Sequence, residues 1–338
     1  MPGPLLETLK GTPQNVAPVW LMRQAGRYLP EYRELRAEKG GFLELVYDSD
    51  AAAEVTVQPI RRFGFDGAIL FSDILIVPHA MGQGLEFLAG EGPKLSPTLL
   101  EVDLDSFTPQ YERFDPIYET VKKTRAMISD QVTMLGFSGS PWTNATYMIG
   151  GEGSKDQGKA RLLAYQDAGR MQAILDAIAD VSITYLRGQI DAGAEAVQLF
   201  DSWAGSLAPD EFERWIIAPN AKITAALKES HPDTPVIGFP KGAGEKLPAY
   251  ARETGVDAVG LDETLDPDWA NAQLPEGMPV QGNLDPLLVE AGGEMLPKRV
   301  KTILQAFEGR PHVFNLGHGI GQFTPIEHVE TLLRAVRG

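Results

Sequence analysis

Short apolar runs of strand length recur along the chain. Each is followed by polar or glycine residues and then by a helical pattern. The seven clearest runs are Gly67–Asp73, Thr133–Phe137, Ala196–Asp201, Pro235–Phe239, Ala258–Asp262, Pro279–Asn283 and His312–Leu316. Their nearly continuous hydrophobicity is typical of strands buried on both faces, as in a parallel sheet. The alternation predicts an α/β fold, and we expect a closed (β/α)8 TIM-type barrel rather than an open doubly wound sheet.

An eighth strand is not evident from the pattern. Two segments are candidates for it: Pro18–Met22, and Leu85–Leu100, which can equally be a hairpin insertion. The length of 338 residues suits one barrel of about 250 residues with additions. No repeat or linker divides the chain, so we expect residues 1–338 to form a single domain. The glycine-rich nucleotide signatures that would favour an open sheet are absent.

Capping residues, proline and glycine mark where several helices begin or end. The predicted boundaries are a cap at Asp115 before Pro116, a helical pattern from Lys159 to near Gly193, a start around Pro209, and a capping box at Thr324–Glu327. Three acidic residues follow Pro209 within the first turn, where the positive end of the helix dipole favours them.

The charge balance narrows the classes of ligand. With 46 acidic and 30 basic residues the formal net charge is −16, so we expect no nucleic acid or anionic membrane as a partner. An anionic small molecule stays possible as a ligand, because salt screens the charges distant from a binding site and the groups within the site determine its affinity. The chain has no cysteine, which excludes disulfides, Fe–S clusters and thiolate zinc sites. It shows no signal-peptide pattern and no apolar stretch long enough for a membrane span, so we expect a soluble, cytoplasmic protein.

Two arginines near the start of this acidic chain, Arg23 and Arg27, point to a polyanionic ligand. Guanidinium groups bind carboxylates through two parallel hydrogen bonds and stay charged at any biological pH. Gly26 and Pro30 bracket the pair and oppose a long helix, so we expect a turn or short helix with backbone amides free to bind an anion. The alternative is a surface pair bridged to Glu31 or Glu34.

Four polar residues follow predicted strands: Asp73, Tyr147, Ser202 and His318. In a barrel, all four would meet at the C-terminal rim of the strands, where barrel active sites lie. Each has an ordinary alternative: Asp73 as a helix or turn cap, Tyr147 as a half-buried tyrosine, Ser202 as a turn residue and His318 as a loop histidine. Their joint placement favours a site.

Five segments, in order along essentially the whole chain, resemble the uroporphyrinogen decarboxylase family. They are Pro18–Arg33, Phe71–Leu75, Gly136–Thr143 with Tyr147-Met148, Gln198–Ser202 and Asn315–Gly319. The first segment is long and specific, whereas the last would be weak alone. The resemblance implies a single, somewhat distorted (β/α)8 barrel and a homodimer. It also implies a carboxy-lyase that needs no cofactor or metal, and that converts uroporphyrinogen to coproporphyrinogen by removing carbon dioxide from four acetate side chains.

The resemblance also assigns roles. It implies that Asp73 and Arg23 are catalytic, and that Asp73 accepts hydrogen bonds from the pyrrole N–H groups. The residues implied to bind the substrate are Arg23, Gln24, Ala25, Gly26, Arg27, Asp73, Tyr147, Ser202 and His318. Arg23 and Arg27 would pair with peripheral carboxylates while Gln24 to Gly26 lend backbone amides. The proton donor, the isomer preference and the order of decarboxylation stay open.

The sequence departs from the family pattern at Asn144, where we expect an apolar residue, and at Gly321–Phe323, where we expect a more acidic or prolyl segment. The second departure bears on how His318 is held. Three other functions compete with the decarboxylase. A cobalamin-dependent methyltransferase would use thiolate zinc, which this chain cannot supply. A noncatalytic tetrapyrrole carrier would not need Asp73, and a phosphate-binding barrel enzyme would need a late glycine-rich loop, for which Leu316–Gly319 is the candidate.

Overall fold

Seven parallel strands form the main sheet of the protein. The computed structural model describes residues 2–88 and 92–338. Its strands are β1 Gly67–Ile69, β2 Gly84–Leu88, β3 Gly92–Ser96, β4 Thr133–Gly139, β5 Ala196–Asp201, β6 Val236–Pro240, β7 Ala258–Gly260, β8 Val280–Leu284 and β9 His312–Leu316. The order in the main sheet is β1-β4-β5-β6-β7-β8-β9, and every neighbouring pair is parallel. The predicted parallel α/β fold is confirmed.

The sheet is strongly curled. Gln198 on β5 and Gln281 on β8 are three strands apart, a separation of about 14 Å in a flat sheet. Nevertheless, Gln281 Nε2 donates to Gln198 Oε1 at 3.0 Å, and Trp20 Nε1 donates to Gln281 Oε1 at 2.9 Å. All three side chains are buried. The curl therefore brings β5 and β8 together across the concave face, where the side chains of Trp20, Gln281 and Gln198 form a row of hydrogen bonds.

Pro18–Trp20 runs along the edge of β9. Phe314 N donates to Pro18 O at 2.8 Å, and Val19 forms a parallel bridge with Phe314. On its other side, Asp66 N, just before β1, donates to Val19 O at 2.9 Å. The segment thus bonds to both edges of the sheet. The other candidate, Leu85–Leu100, contributes an antiparallel hairpin of β2 and β3, and its residues 89–91 lie outside the described residues.

The predicted strands are all present, with shifted ends. The strands over Ala196–Asp201 and His312–Leu316 match their predictions, and three others shift or lengthen by one or two residues. Strand β7 ends at Gly260 instead of Asp262. Strand β1 ends at Ile69 instead of Asp73, because Leu70 N makes the last bond to β4 and the chain then turns. Asp73 therefore lies in a turn rather than at the end of a strand.

Sixteen α-helices are present in the described part of the chain. They are α1 Pro4–Leu9, α2 Pro30–Lys39, α3 Phe42–Tyr47, α4 Ser49–Phe63, α5 Ile76–Ala80, α6 Asp115–Met127, α7 Pro141–Gly150, α8 Gly158–Gln166, α9 Ala168–Asp191, α10 Pro209–Phe212, α11 Ala218–Ser230, α12 Leu247–Glu253, α13 Pro267–Gln273, α14 Pro286–Ala291, α15 Met295–Ala306 and α16 Ile326–Arg337. None of these described helices is long and apolar enough to cross a membrane.

The starts of two helices, α9 and α6, differ from the prediction. The pattern from Lys159 to Gly193 is two helices, since Asp167 is not helical and its side chain caps α9 by accepting from Arg170 N. Asp115 is the first residue of α6 and makes no capping hydrogen bond.

At the other end of the chain, the capping box is also wrong. Pro325 occupies the N-cap of α16, one residue after Thr324, so Thr324 and Glu327 are out of register for the reciprocal bonds. The predicted start at Pro209 is confirmed, although α10 gives way to a π-helical turn at Glu213–Ile217 before α11.

Candidate active site

The loop between Pro18–Trp20 and α2 carries Arg23 and Arg27. It is a turn, as predicted, and Arg23 has a left-handed backbone (φ 62°). The buried side chain of Gln24 holds the loop in place: its Oε1 accepts from Leu21 N at 3.1 Å and its Nε2 donates to Gly67 O at 2.9 Å. This anchors the arginine loop to β1.

Part of this loop is free to bind an anion. Gln24 N donates to Leu21 O, so it is already used, whereas in the described residues the N–H groups of Ala25, Gly26 and Arg27 donate to no acceptor. Successive free amides form a concave anion-binding nest. Neither Arg23 nor Arg27 forms an ion pair within the described structure.

The surface alternative for this pair named Glu31 or Glu34 as its partner. Glu31 pairs instead with Arg62, through two hydrogen bonds of 2.7 and 2.9 Å. Both arginine side chains are exposed, so their guanidinium groups are accessible to a ligand.

Asp73 lies in the turn between β1 and α5. Its Oδ1 accepts from Leu75 N at 2.8 Å, so the predicted capping role is present in the turn. Its second oxygen has no hydrogen-bond partner within the described residues. Burial raises the pKa of Asp73 to about 6, although the Leu75 amide and the charge of Arg23 act in the opposite direction. At pH 7 and above the carboxyl is mainly ionised.

Tyr147 lies on α7, half-buried. Burial raises its pKa, and the negative charge of Asp73 adds to this, while the Trp203 side chain and the charge of Arg23 lower it. The phenol is therefore protonated at neutral pH and can donate to a carboxylate. These mutual effects place Tyr147 close to both Asp73 and Arg23.

His318 follows β9 and is half-buried. Burial, together with the charges of Arg23 and Lys241, lowers its pKa to about 3, although the charge of Asp262 acts in the opposite direction. A neutral imidazole offers one N–H donor and one acceptor. There is no room for a side chain at Gly319, where a Cβ atom would lie 2.9 Å from Arg23 Nε. The glycine after His318 thus lets the stem of Arg23 pack against the loop.

Ser202 follows β5 and is half-buried, and the residue before it is a buried acid. Asp201 accepts a 2.6 Å hydrogen bond from Thr143 Oγ1, and Thr143 accepts in turn from Trp203 N at 3.3 Å. Thr143 and Tyr147 are one turn apart on α7. The Asp201–Thr143 pair therefore fixes the position of α7 against the Ser202 turn.

Arg23, Asp73, Tyr147 and His318 form one electrostatic cluster, because the charge of Arg23 acts on each of the other three. Ser202 belongs to the same rim through β5. Arg27 stands apart: it acts electrostatically on Tyr32 of α2 and is not among the charges that shift the pKa of Asp73, Tyr147 or His318.

Other residues of this rim were not predicted. Lys241 follows β6 and acts electrostatically on His318, and Glu263 follows β7 and pairs with Lys241. Asp201 and Thr143 support the Ser202 turn. The rule that singled out Ser202, a polar residue directly after a strand, applies to Lys241 only with the observed end of β6 at Pro240, because the predicted strand ended at Phe239. Within residues 2–88 and 92–338, no group of three His, Asp or Glu side chains is arranged to hold a metal ion.

Comparison with known proteins extends the resemblance to the whole chain. The family model described as uroporphyrinogen decarboxylase (URO-D) matches residues 3–338. The chain belongs to the uroporphyrinogen decarboxylase family. It is 69% identical over 338 residues to the uroporphyrinogen decarboxylase of Novosphingobium aromaticivorans, covering 100% of this chain and 99% of that protein. The uroporphyrinogen decarboxylase of Erythrobacter litoralis is 69% identical over 337 residues, with coverage of 100% and 99%.

Among solved structures, a methyltransferase from Methanosarcina mazei is similar to this member of the uroporphyrinogen decarboxylase family. The TM-score is 0.80 at 19% sequence identity, and the match covers 98% of this chain and 97% of that chain. At this identity the similarity concerns the fold alone.

The two departures from the uroporphyrinogen decarboxylase pattern have local roles. The buried Asn144 donates through its side-chain amide to Gly139 O at 3.2 Å, which joins α7 to the end of β4. A side chain at Gly321 would meet Glu290 of α14, and Phe323 is 75% exposed.

Proposed function

We propose that this protein removes carbon dioxide from the four acetate side chains of uroporphyrinogen III, giving coproporphyrinogen III in porphyrin biosynthesis. The observation that carries the proposal is the combination of one carboxyl, Asp73, with Arg23, Tyr147 and His318 at one rim of the sheet. The family match and the 69% identity to proteins named uroporphyrinogen decarboxylase support the reaction.

The chemistry of decarboxylation explains why the carboxyl of Asp73 lies among the hydrogen-bond donors Arg23, Tyr147 and His318. Loss of carbon dioxide from an acetate leaves an electron pair that needs a sink. A proton added to the pyrrole carbon next to the acetate creates a cationic ring that accepts this pair. The product carbon then takes up a proton to become a methyl group, and the ring carbon gives up the proton that it had gained, which restores the neutral pyrrole. The substrate thus supplies its own electron sink, and no cofactor is required.

Asp73 fits the role of stabilising this cation. Its free oxygen can accept from pyrrole N–H groups, and its charge stabilises the positive ring before carbon dioxide leaves. A fixed negative charge in a partly dry site has a larger effect than in water. Arg23 is a poor acid because its pKa is far above neutrality. A bound water or a neighbouring substrate carboxyl is the easier proton donor.

The substrate carboxylates need several donors. Arg23 and Arg27 supply bidentate forks, and the nest formed by Ala25, Gly26 and Arg27 supplies backbone amides. Tyr147, Ser202 and the neutral His318 contribute single hydrogen bonds. In this proposal Gln24 acts through its side chain, which holds the nest against β1.

We also propose that residues 1–338 form one domain in which Pro18–Trp20 takes the eighth place of a distorted (β/α)8 barrel. Its bonds to Phe314 and Asp66 support this closure. Closure gathers the strand ends at one rim, as the substrate requires.

A homodimer is the proposed assembly. Leu287 and Phe323 are 70% and 75% exposed, and Gly321 packs against Glu290, one helical turn from Leu287. Apolar side chains with this exposure are available for a contact with a second copy of the chain. Light scattering coupled to gel filtration would give twice the mass of one 36.8 kDa chain, and a monomer mass would contradict the proposal. A cytoplasmic location stays a prediction.

The function is tested by anaerobic incubation of the purified protein with uroporphyrinogen III. Products are oxidised and separated by carboxyl number, and we expect species with seven, six, five and finally four carboxyls. A carrier would bind the substrate and leave all eight carboxyls in place. Binding without turnover under these conditions would therefore refute the decarboxylase.

A further inference from the structure

A lysine directly follows one strand of the main sheet. Among the residues that come immediately after the seven strands in the described chain, Lys241 after β6 carries the sole positive side chain. The residues at the other strand ends are apolar, small or acidic. A cation at this position is notable because residues at this rim face the ligand in barrel enzymes.

The backbone places Lys241 next to Ser202. Lys241 N donates to Asp201 O at 3.0 Å, and Lys241 O accepts from Gly205 N at 2.9 Å. These bonds hold the start of the β6–α12 connection against the turn that carries Ser202. The position of the lysine is therefore set by the strand ladder rather than by a free loop.

The side chain of Lys241 also lies beside His318. The ring of Phe239 is 6.4 Å from the ring of His318, centroid to centroid. Phe239 lies in β6 two residues before Lys241, which begins the turn after that strand. The charge of Lys241 also contributes to the lowered pKa of His318, as expected for a cation at the same rim. Lys241 thus lies between two residues of the proposed carboxylate-binding set.

The ion pair that Lys241 makes is a loose one. Its Nζ is 3.7 Å from Glu263 Oε1, beyond hydrogen-bond distance, and the two side chains are 30% and 24% exposed. Glu263 Oε2 is buried and has no hydrogen-bond partner within the described residues. A pair of this kind stabilises a fold little, and it leaves the ammonium group free to take a better acceptor.

We propose that Lys241 is a further substrate-binding residue that takes one carboxylate of the tetrapyrrole, and that Glu263 is its counter-ion in the empty site. The inference rests on the proposed function. An octacarboxylate carries more negative charge than Arg23 and Arg27 can balance, and His318 is neutral. A third cation at this rim would therefore neutralise a further carboxylate of the ligand. Glu263 keeps the lysine extended and directed at the rim before the ligand arrives.

Four variants test the inference in the anaerobic assay. Lys241→Met should raise KM for uroporphyrinogen by about tenfold, with kcat changed by less than about threefold, because an interaction with a group that does not react is lost in ground and transition states alike. Lys241→Arg keeps the charge and should restore KM to within about threefold of wild type. Glu263→Gln frees the lysine and should lower KM by up to about fivefold.

Lys122→Met is the matched control. Lys122 pairs with Glu119 on the exposed face of α6, so this variant makes the same change in net charge away from the site. We expect its KM to match wild type. A second measurement follows the fluorescence of oxidised uroporphyrin, which binds without reacting, and should show the same order of Kd values.

The outcomes separate the two proposals. Wild-type turnover decides the decarboxylase function, whatever the variants do. With an active wild type, an unchanged KM and Kd in Lys241→Met overturns the inference. A rise in KM in Glu263→Gln equal to that in Lys241→Met would show that the pair is structural and would overturn it too. If Lys241→Met does not fold, Lys241→Gln and Lys241→Arg give the same comparison.

Discussion

The carboxyl group of Asp73 has one oxygen committed to the protein and one available. Oδ1 holds the Leu75 amide, which shapes the turn before α5. The shape of this turn also determines where the second oxygen of Asp73 lies. A carboxamide can keep the first bond and lose the charge, so the structural and the chemical contributions of this residue are separable.

We predict that Asp73→Asn folds normally and still binds uroporphyrin, while kcat falls by about a hundredfold to a thousandfold. The asparagine oxygen replaces Oδ1 at Leu75 N, but the cationic ring loses its charged partner. Asp257→Asn is the control, because Asp257 lies directly before β7, at the opposite end of the strands from the site. Its side chain accepts a hydrogen bond from Val236 N. Turnover of Asp73→Asn within a few fold of wild type would make Asp73 a cap and nothing more.

The wild type should also lose activity as the pH falls. The pKa of Asp73 is raised to about 6 and its charged form is required, so kcat/KM should fall as the pH drops through about 6. A profile that stays flat down to pH 5 would be inconsistent with this requirement.

Arg23 and Arg27 differ in their surroundings, although they are four residues apart. Arg23 acts on Asp73, Tyr147 and His318, whereas Arg27 lies outside this cluster. We predict that Arg23→Lys and Arg27→Lys each lower kcat/KM by about 1–3 kcal/mol, because a point charge replaces a bidentate fork. Arg23→Lys should be at the upper end of this range. Kinetics near wild type in both variants would rule out the carboxylate clamp.

At the scale of elements, the junction of β5 with α7 depends on one buried acid. Asp201 is fully buried, and burial raises its pKa to about 7, although the hydrogen bonds from Thr143 and Asn220 act against this. In the unfolded chain the group would ionise near its ordinary value of 3.8. The folded state therefore holds this proton more tightly between about pH 4 and 7.

It follows that Asp201 stabilises the fold fully below about pH 4 and progressively less as the pH rises to 7. We predict that Asp201→Asn removes a dependence of about 1 kcal/mol per pH unit from the free energy of unfolding between pH 5 and 7. Denaturant titrations of both proteins at several pH values measure this. The buried histidines are the same in both proteins, so their contribution cancels when the two unfolding free energies are subtracted at each pH. Parallel curves for the two proteins would show that Asp201 is not the titrating group.

How far the elements follow from sequence depends on whether their signal is local. Runs such as Ala196–Asp201 are buried on both faces, and the pattern fixed both ends. The capping box at Thr324 failed because Pro325 took the N-cap, a choice between adjacent residues that depends on how the chain enters the helix. The break at Asp167 was missed because the apolar pattern continues through it.

The site shows the same division. Family motifs and strand ends predicted Asp73, Tyr147 and His318 as site residues, and the charge of Arg23 acts on all three in the structure. Lys241 was missed because its importance comes from Glu263 and His318, which are distant in sequence. The use of Gln24 as an internal brace also depends on a long-range partner, Gly67 O. Pairings of this kind have no periodic signal.

For the whole molecule, a net charge of −16 and a polyanionic substrate oppose each other. The positive groups at the rim act locally, within the distance over which salt screens the remaining charge. No metal has a part in this scheme. We predict that chelation with EDTA followed by dialysis leaves turnover unchanged. Loss of activity after EDTA, followed by its recovery with one particular metal ion, would contradict this prediction.

The segment Pro18–Trp20 joins both edges of the sheet and ends three residues before Arg23. Ligand bound to the arginines therefore opposes any opening of this seam, and amide hydrogen exchange can detect it. With uroporphyrin at 100 times its Kd, we predict that exchange at Phe314 N and Asp66 N slows by up to about a hundredfold. Amides of Lys228 and Glu229 in the last turn of α11, at the opposite end of the strands, should not change. Equal slowing everywhere would count against the coupling. Bound substrate would then stabilise the contacts of this segment with both edges of the sheet, so that a cell rich in uroporphyrinogen also holds a more stable enzyme.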